Sequence, residues 1–92
     1  MPEKEYISLE DIFGSKIKVR ILKALVEKSL ISLTELRKRS KANYKVLKMY
    51  LQKLQKAGLL NELTYDRVKL YSLNRRNPKA RALEDFFKKW ES

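Results

Sequence analysis

The chain of 92 residues contains no cysteine and no histidine. Without cysteine it can form no disulfide, no thiol nucleophile and no cysteine-based metal site. Without histidine it lacks the commonest general base and the commonest nitrogen ligand for metals. We therefore expect no metal site and no cofactor.

Features of membrane-spanning, secreted and catalytic chains are also missing. No run approaches the ~18 consecutive apolar residues of a transmembrane helix, and the acidic start MPEKEYISLED lacks the apolar core of a signal peptide. There is no glycine-rich phosphate loop. The adjacent acids Glu84 and Asp85 point in different directions on a helix. These features predict a cytoplasmic protein that is not an enzyme.

Positive charge is abundant and concentrated. The chain has 22 Lys and Arg against 11 Asp and Glu, a net charge of +11, and no acidic residue between Leu36 and Asn61. Such a balance indicates a partner with fixed negative charge. Nucleic acid is the leading interpretation, and an anionic membrane surface or a merely soluble basic protein are the alternatives.

The segment 32–57, SLTELRKRSKANYKVLKMYLQKLQKA, predicts two helices joined by a tight turn. Ser32 followed by Glu35 forms a capping-box pattern for the first helix. Asn43 is suited to cap the second, at about 43–57. Three leucines share one face of that second helix, namely Leu47, Leu51 and Leu54. The opposite face bears Lys45, Met49, Gln52 and Lys56.

The remaining chain predicts a single domain over residues 8–92, preceded by a flexible arm of residues 1–7. We expect a short helix from Ser8 to Phe13 ended by a left-handed Gly14, a helix over 16–28 and a short strand at 30–32. Gly58 ends the second helix of the pair. The remaining elements are a hairpin over about 60–74 and a last helix over about 78–91 that starts at Asn77-Pro78.

Three stretches follow the expected elements, namely FGSKIKVRILKALVEKSLISLTELRKRS, NYKVLKMYLQKLQKAGLL, and VKLYSLN followed by NPKARALEDFFKKW. These stretches resemble winged helix-turn-helix regulators of the ArsR and MarR type, especially archaeal ones. The resemblance covers roughly residues 9–90. It implies an α+β winged helix-turn-helix fold, a DNA-binding transcription regulator and a homodimer. Metal sensing, which in ArsR proteins uses cysteine, histidine and acidic clusters, is not expected here.

The basic residues of the segment 32–57 and of the hairpin predict a DNA-contacting surface. In the second helix, base contacts in the major groove are expected from Tyr44, Lys45, Lys48, Met49 and Gln52. Phosphate contacts are expected around it and at the hairpin, from Arg37, Lys38, Arg39, Lys41, Asn43, Arg67 and Lys69. The alternative is a solvated face that touches phosphates at most.

Surplus apolar residues near the two ends predict a dimer interface. They form a stripe on the helix 16–28 and a cluster on the last helix, namely Val19, Leu22, Val26, Leu83, Phe86, Phe87 and Trp90. The alternative is that other helices of the same chain cover them. Two alternative functions remain, a DNA-coating protein without sequence preference and a protein–protein assembly module.

Overall fold

Polar side chains fix where the helices begin in the computed structural model, which describes residues 6–91. Backbone N–H groups donate to Ser8 Oγ at 3.1 Å, to Ser32 Oγ at 3.1 Å and to Asn43 Oδ1 at 2.9 Å. These bonds satisfy N–H groups that a helix start leaves without an intrahelical acceptor. The elements are α1 (Leu9–Phe13), α2 (Lys16–Glu27), β1 (Ile31–Ser32), α3 (Leu33–Ser40), α4 (Tyr44–Lys56), β2 (Leu60–Tyr65), β3 (Val68–Leu73) and α5 (Pro78–Glu91).

The order of elements predicted from the sequence is confirmed, with two local corrections. Gly14 was expected in the left-handed region, but its φ is −67°. Glycine is instead needed there because an added Cβ would lie 2.5 Å from the Glu10 carbonyl oxygen. The predicted capping box is half formed, since the Glu35 carboxylate accepts two hydrogen bonds from Lys28 Nζ at 2.9 Å.

The three strands form an antiparallel sheet in the order β1-β3-β2. Asp66 and Arg67 connect β2 to β3 with φ values of 49° and 67°. Positive φ at both central residues defines a type I′ turn, whose twist matches that of the strands. This register places Glu62 opposite Tyr71 and both on the face that carries the buried Leu73.

The core lies between the helices and the inner face of the sheet. The predicted leucine seam of α4 is confirmed, because Leu47, Leu51 and Leu54 are at most 1% exposed. Tyr50 is also buried, and its hydroxyl donates to the Ile12 carbonyl oxygen at 2.8 Å, which ties α4 to α1. The seam therefore fixes which face of α4 is left for solvent.

The N-terminal boundary needs a correction. Residues 1–5 of the predicted arm lie outside the described residues. Ile7, which was also assigned to the arm, is 5% exposed and belongs to the core. The packed body therefore begins before the Ser8 cap.

Candidate nucleic-acid interface

One side of α4 is exposed and lies opposite the leucine seam. A helix turns by about 100° per residue, which places the exposed side chains on the side of α4 opposite the leucines. Met49 is 61% exposed, and the rest of this surface is Lys45, Lys48, Gln52 and Lys56. The structure therefore brings the predicted base-contacting residues of α4 onto one face.

The turn between α3 and α4 gathers further cations around an aromatic ring. The Arg37 guanidinium lies 5.5 Å from the Tyr44 ring centroid, and Lys48 Nζ lies 6.0 Å from it. Such cation–π contacts hold long basic side chains in place without neutralising their charge. Lys41 ends α3 in the left-handed conformation with φ of 61°, and Asn43 serves as the α4 cap. The predicted phosphate-contacting residues of this turn are therefore adjacent to the exposed face of α4.

Arg39, which was predicted to contact phosphate, forms an ion pair with an acidic side chain. Its guanidinium contacts the Glu27 carboxylate of α2. Both side chains are more than a third exposed, and exposed ion pairs of this kind contribute about 0–1 kcal/mol. A phosphate can therefore compete for Arg39. Lys38 is exposed on the same helix.

The hairpin of β2 and β3 forms the other wall of the surface. Arg67 lies in the turn at its tip. Lys69 Nζ lies 4.0 Å from the Glu62 carboxylate, and the Tyr71 hydroxyl donates to the same carboxylate at 2.7 Å. Burial raises the pKa of Tyr71, and the hydrogen bond to Glu62 raises it further. The tyrosine hydroxyl therefore stays a proton donor at neutral pH.

A cleft of 530 Å³ separates α4 from this hairpin. Its walls carry both donors and an acid, namely Lys48, Gln52, Lys56, Glu62, Lys69 and Tyr71. The sequence alone did not identify Glu62 as a residue of this site. Strand alternation would have placed it at the cleft only if the register of the hairpin were known. The register was not known, because the turn contains no glycine and its type could not be predicted.

The predicted dimer residues divide into two groups. The single chain buries Leu22, Val26, Leu83 and Phe87, which are at most 7% exposed, and Val19 packs against the core while partly buried. These five offer little surface to a second chain, because the packing of a single chain already covers them. Phe86 and Trp90 remain 50% and 76% exposed.

Phe86 and Trp90 belong to an aromatic cluster at the two chain ends. Their ring centroids are 5.9 Å apart and stacked, and Phe13 meets Phe86 edge-on at 6.0 Å. Beside them an apolar groove of 440 Å³ runs between α1 and α5 and includes Leu9, Ile12 and Leu83 in its lining. The cluster lies on elements other than α4 and the hairpin.

Within residues 6–91 no three or more Asp and Glu side chains gather where they could hold a metal ion. No helix in that part of the chain is long and apolar enough to cross a membrane.

Comparison with known proteins shows the fold. No protein-family model matches the sequence, and no curated protein matches it either. Among solved structures, HlyU from Vibrio cholerae N16961 superimposes with a TM-score of 0.73 at 21% identity, over 89% of this chain and 85% of that one. HlyU is a winged-helix protein. This chain has a winged helix-turn-helix fold. In this fold α4 is the second helix of the helix-turn-helix, and the β2–β3 hairpin is the wing.

A second solved structure is similar to a smaller part of this chain. Sso10a-2, a DNA-binding protein from Sulfolobus solfataricus, superimposes with a TM-score of 0.58 at 23% identity, over 77% of this chain and 74% of that one. At these identities the likeness to either structure shows the fold alone. The predicted α+β class is confirmed, since residues 6–91 form five helices and a small three-stranded sheet.

Proposed function

We propose that this protein is a DNA-binding transcriptional regulator that places the recognition helix α4 in the major groove of double-stranded DNA. The observation that carries this proposal is the exposed face of α4. That face presents Lys45, Lys48, Gln52 and Lys56 within a span of the chain that contains no acidic residue. A rigid, capped helix with cations in front and leucines behind is suited to a polyanion.

The geometry supports separate roles for two groups of residues. Those around the α3–α4 turn and at the wing tip would contact phosphates, which set affinity and register. They are Arg37, Lys38, Arg39, Lys41, Asn43, Arg67 and Lys69. Residues on the exposed face of α4 would reach base edges, because Lys can donate to guanine O6 or N7 and Gln can pair with adenine. They are Tyr44, Lys45, Lys48, Met49 and Gln52.

The proposed regulator acts as a homodimer joined through the chain ends. The support is the exposed Phe86–Trp90 stack and the apolar groove beside it. An exposed aromatic cluster of this kind is typical of a protein–protein contact. A second copy would cover the cluster and would present two recognition helices to half-sites about one DNA turn apart.

A DNA-coating role without sequence preference is the second function to be tested. It is favoured by the number of basic side chains around the α3–α4 turn, because phosphate contacts carry no sequence information. The deciding experiment is a titration against a mixture of genomic fragments with excess random competitor DNA. We expect a few fragments to stay bound while most are released. Release of all fragments at the same competitor concentration would replace the regulator with a coating protein, and no binding to any fragment would favour an assembly module.

A further inference from the structure

One acidic side chain lies within the cationic surface. Glu62 is the first acid after the acid-free span, and the wing brings it to the cleft beside α4. A negative charge at that place opposes binding to phosphate, because like charges repel. Its position therefore calls for a reason other than affinity.

The carboxylate is held rather than loosely solvated. Tyr71 is buried, and its hydroxyl donates to Glu62 Oε2 at 2.7 Å. Lys69 Nζ approaches the same oxygen at 4.0 Å. Within residues 6–91 no protein group bonds the other oxygen, Oε1, so it remains an acceptor for a donor from outside. Lys48 and Gln52 line the same cleft.

A fixed acceptor distinguishes bases in a way that lysine and arginine cannot. Phosphates offer acceptors, and so do guanine O6 and N7, so a surface of donors binds all of them. Cytosine presents a donor in the major groove, its N4 amino group, and a glutamate accepts from it. A carboxylate in the cleft therefore favours cytosine and disfavours a phosphate in the same place.

We propose that Glu62 is a specificity-determining residue whose carboxylate, held by the Tyr71 hydroxyl between α4 and the wing, accepts a hydrogen bond from the N4 amino group of a cytosine. This inference rests on the proposed DNA binding. Tyr71 acts as a positioning residue, because it contacts Glu62 and not the base.

The test is selection from a randomised duplex library with the wild type, Glu62→Gln, Tyr71→Phe and Asp85→Asn. Glu62→Gln keeps the shape of the side chain and removes the charge. Asp85→Asn removes the same charge from an exposed position on α5, away from the cleft. The wild type and Asp85→Asn are expected to favour cytosine at one position by roughly tenfold or more. Glu62→Gln should lose that preference and bind random duplexes more tightly, and Tyr71→Phe should lose part of it.

Three results would overturn the role of Glu62, and they can be told apart. If the wild type enriches a consensus and Glu62→Gln enriches the same one, Glu62 does not read a base while the regulator proposal stands. If the wild type enriches no duplex, both proposals fail. A merely structural role would appear as an equal loss of affinity for all duplexes together with a lower urea midpoint for unfolding, and that pattern also contradicts the inference.

Discussion

Replacing Lys45 and Lys48 together by alanine is expected to weaken binding to a specific duplex by about 2–6 kcal/mol. Each substitution would remove one hydrogen bond to a base edge, and each lost base contact costs about 1–3 kcal/mol of binding free energy. Both side chains lie on the exposed face of α4, and neither packs in the core. The fold should therefore be unaffected, and the loss should be smaller on random duplexes. Parallel titrations of a specific and a random duplex measure the difference.

Two variants serve as comparators for the lysine pair. Arg67→Ala removes a proposed phosphate contact at the wing tip and should weaken both duplexes by the same factor. Lys88→Ala with Lys89→Ala makes the same change in net charge on α5, which carries none of the proposed DNA contacts, and should have little effect on either duplex. Equal losses on the specific and random duplexes for the Lys45 and Lys48 variant would remove these lysines from base readout.

Replacing Phe86 and Trp90 together by glutamate is expected to convert the dimer to a monomer with weaker DNA binding. Both side chains are at least half exposed in the single chain, so the substitutions create no buried charge within one domain. They place two carboxylates in the proposed apolar dimer interface. Burial of an unpaired charge there destabilises the dimer. Weaker DNA binding follows because a monomer presents one recognition helix instead of two. Light scattering gives the mass, and circular dichroism checks that the helices remain.

The control for this variant is Leu30→Glu, which adds a charge at an exposed apolar residue outside α1 and α5. It should leave the mass unchanged. Light scattering of the wild-type protein at tens of micromolar is the first test of the dimer. A monomer mass for the wild type would end the dimer proposal and would leave the aromatic cluster as an exposed part of the monomer.

The parts of the fold that sequence predicts well are those set by near neighbours. Ser8, Ser32 and Asn43 cap helices because their side chains reach N–H groups three residues away, so the signal is contained in a few positions. The leucine seam of α4 was predicted for the same reason, because helical spacing alone places Leu47 and Leu54 on one face.

The parts that sequence predicted poorly depend on distant contacts. The apolar stripe of α2 could have met other helices or a second chain. Only the folded core shows that Leu22 and Val26 are covered within one chain. The pairing of Arg39 with Glu27 joins two helices. Glu62 reaches the cleft through the register of the hairpin, which a glycine-free turn did not reveal.

The salt dependence of DNA binding tests the central proposal most directly. If the cations of α3, α4 and the wing neutralise about five to seven phosphates, log K should fall linearly with log salt concentration at a slope of about −5 to −6. The measurement is a titration of one duplex with the wild-type protein at several salt concentrations. A slope in that range is the expected result. A slope near zero, or no binding at low salt, would contradict the assignment of this surface to DNA.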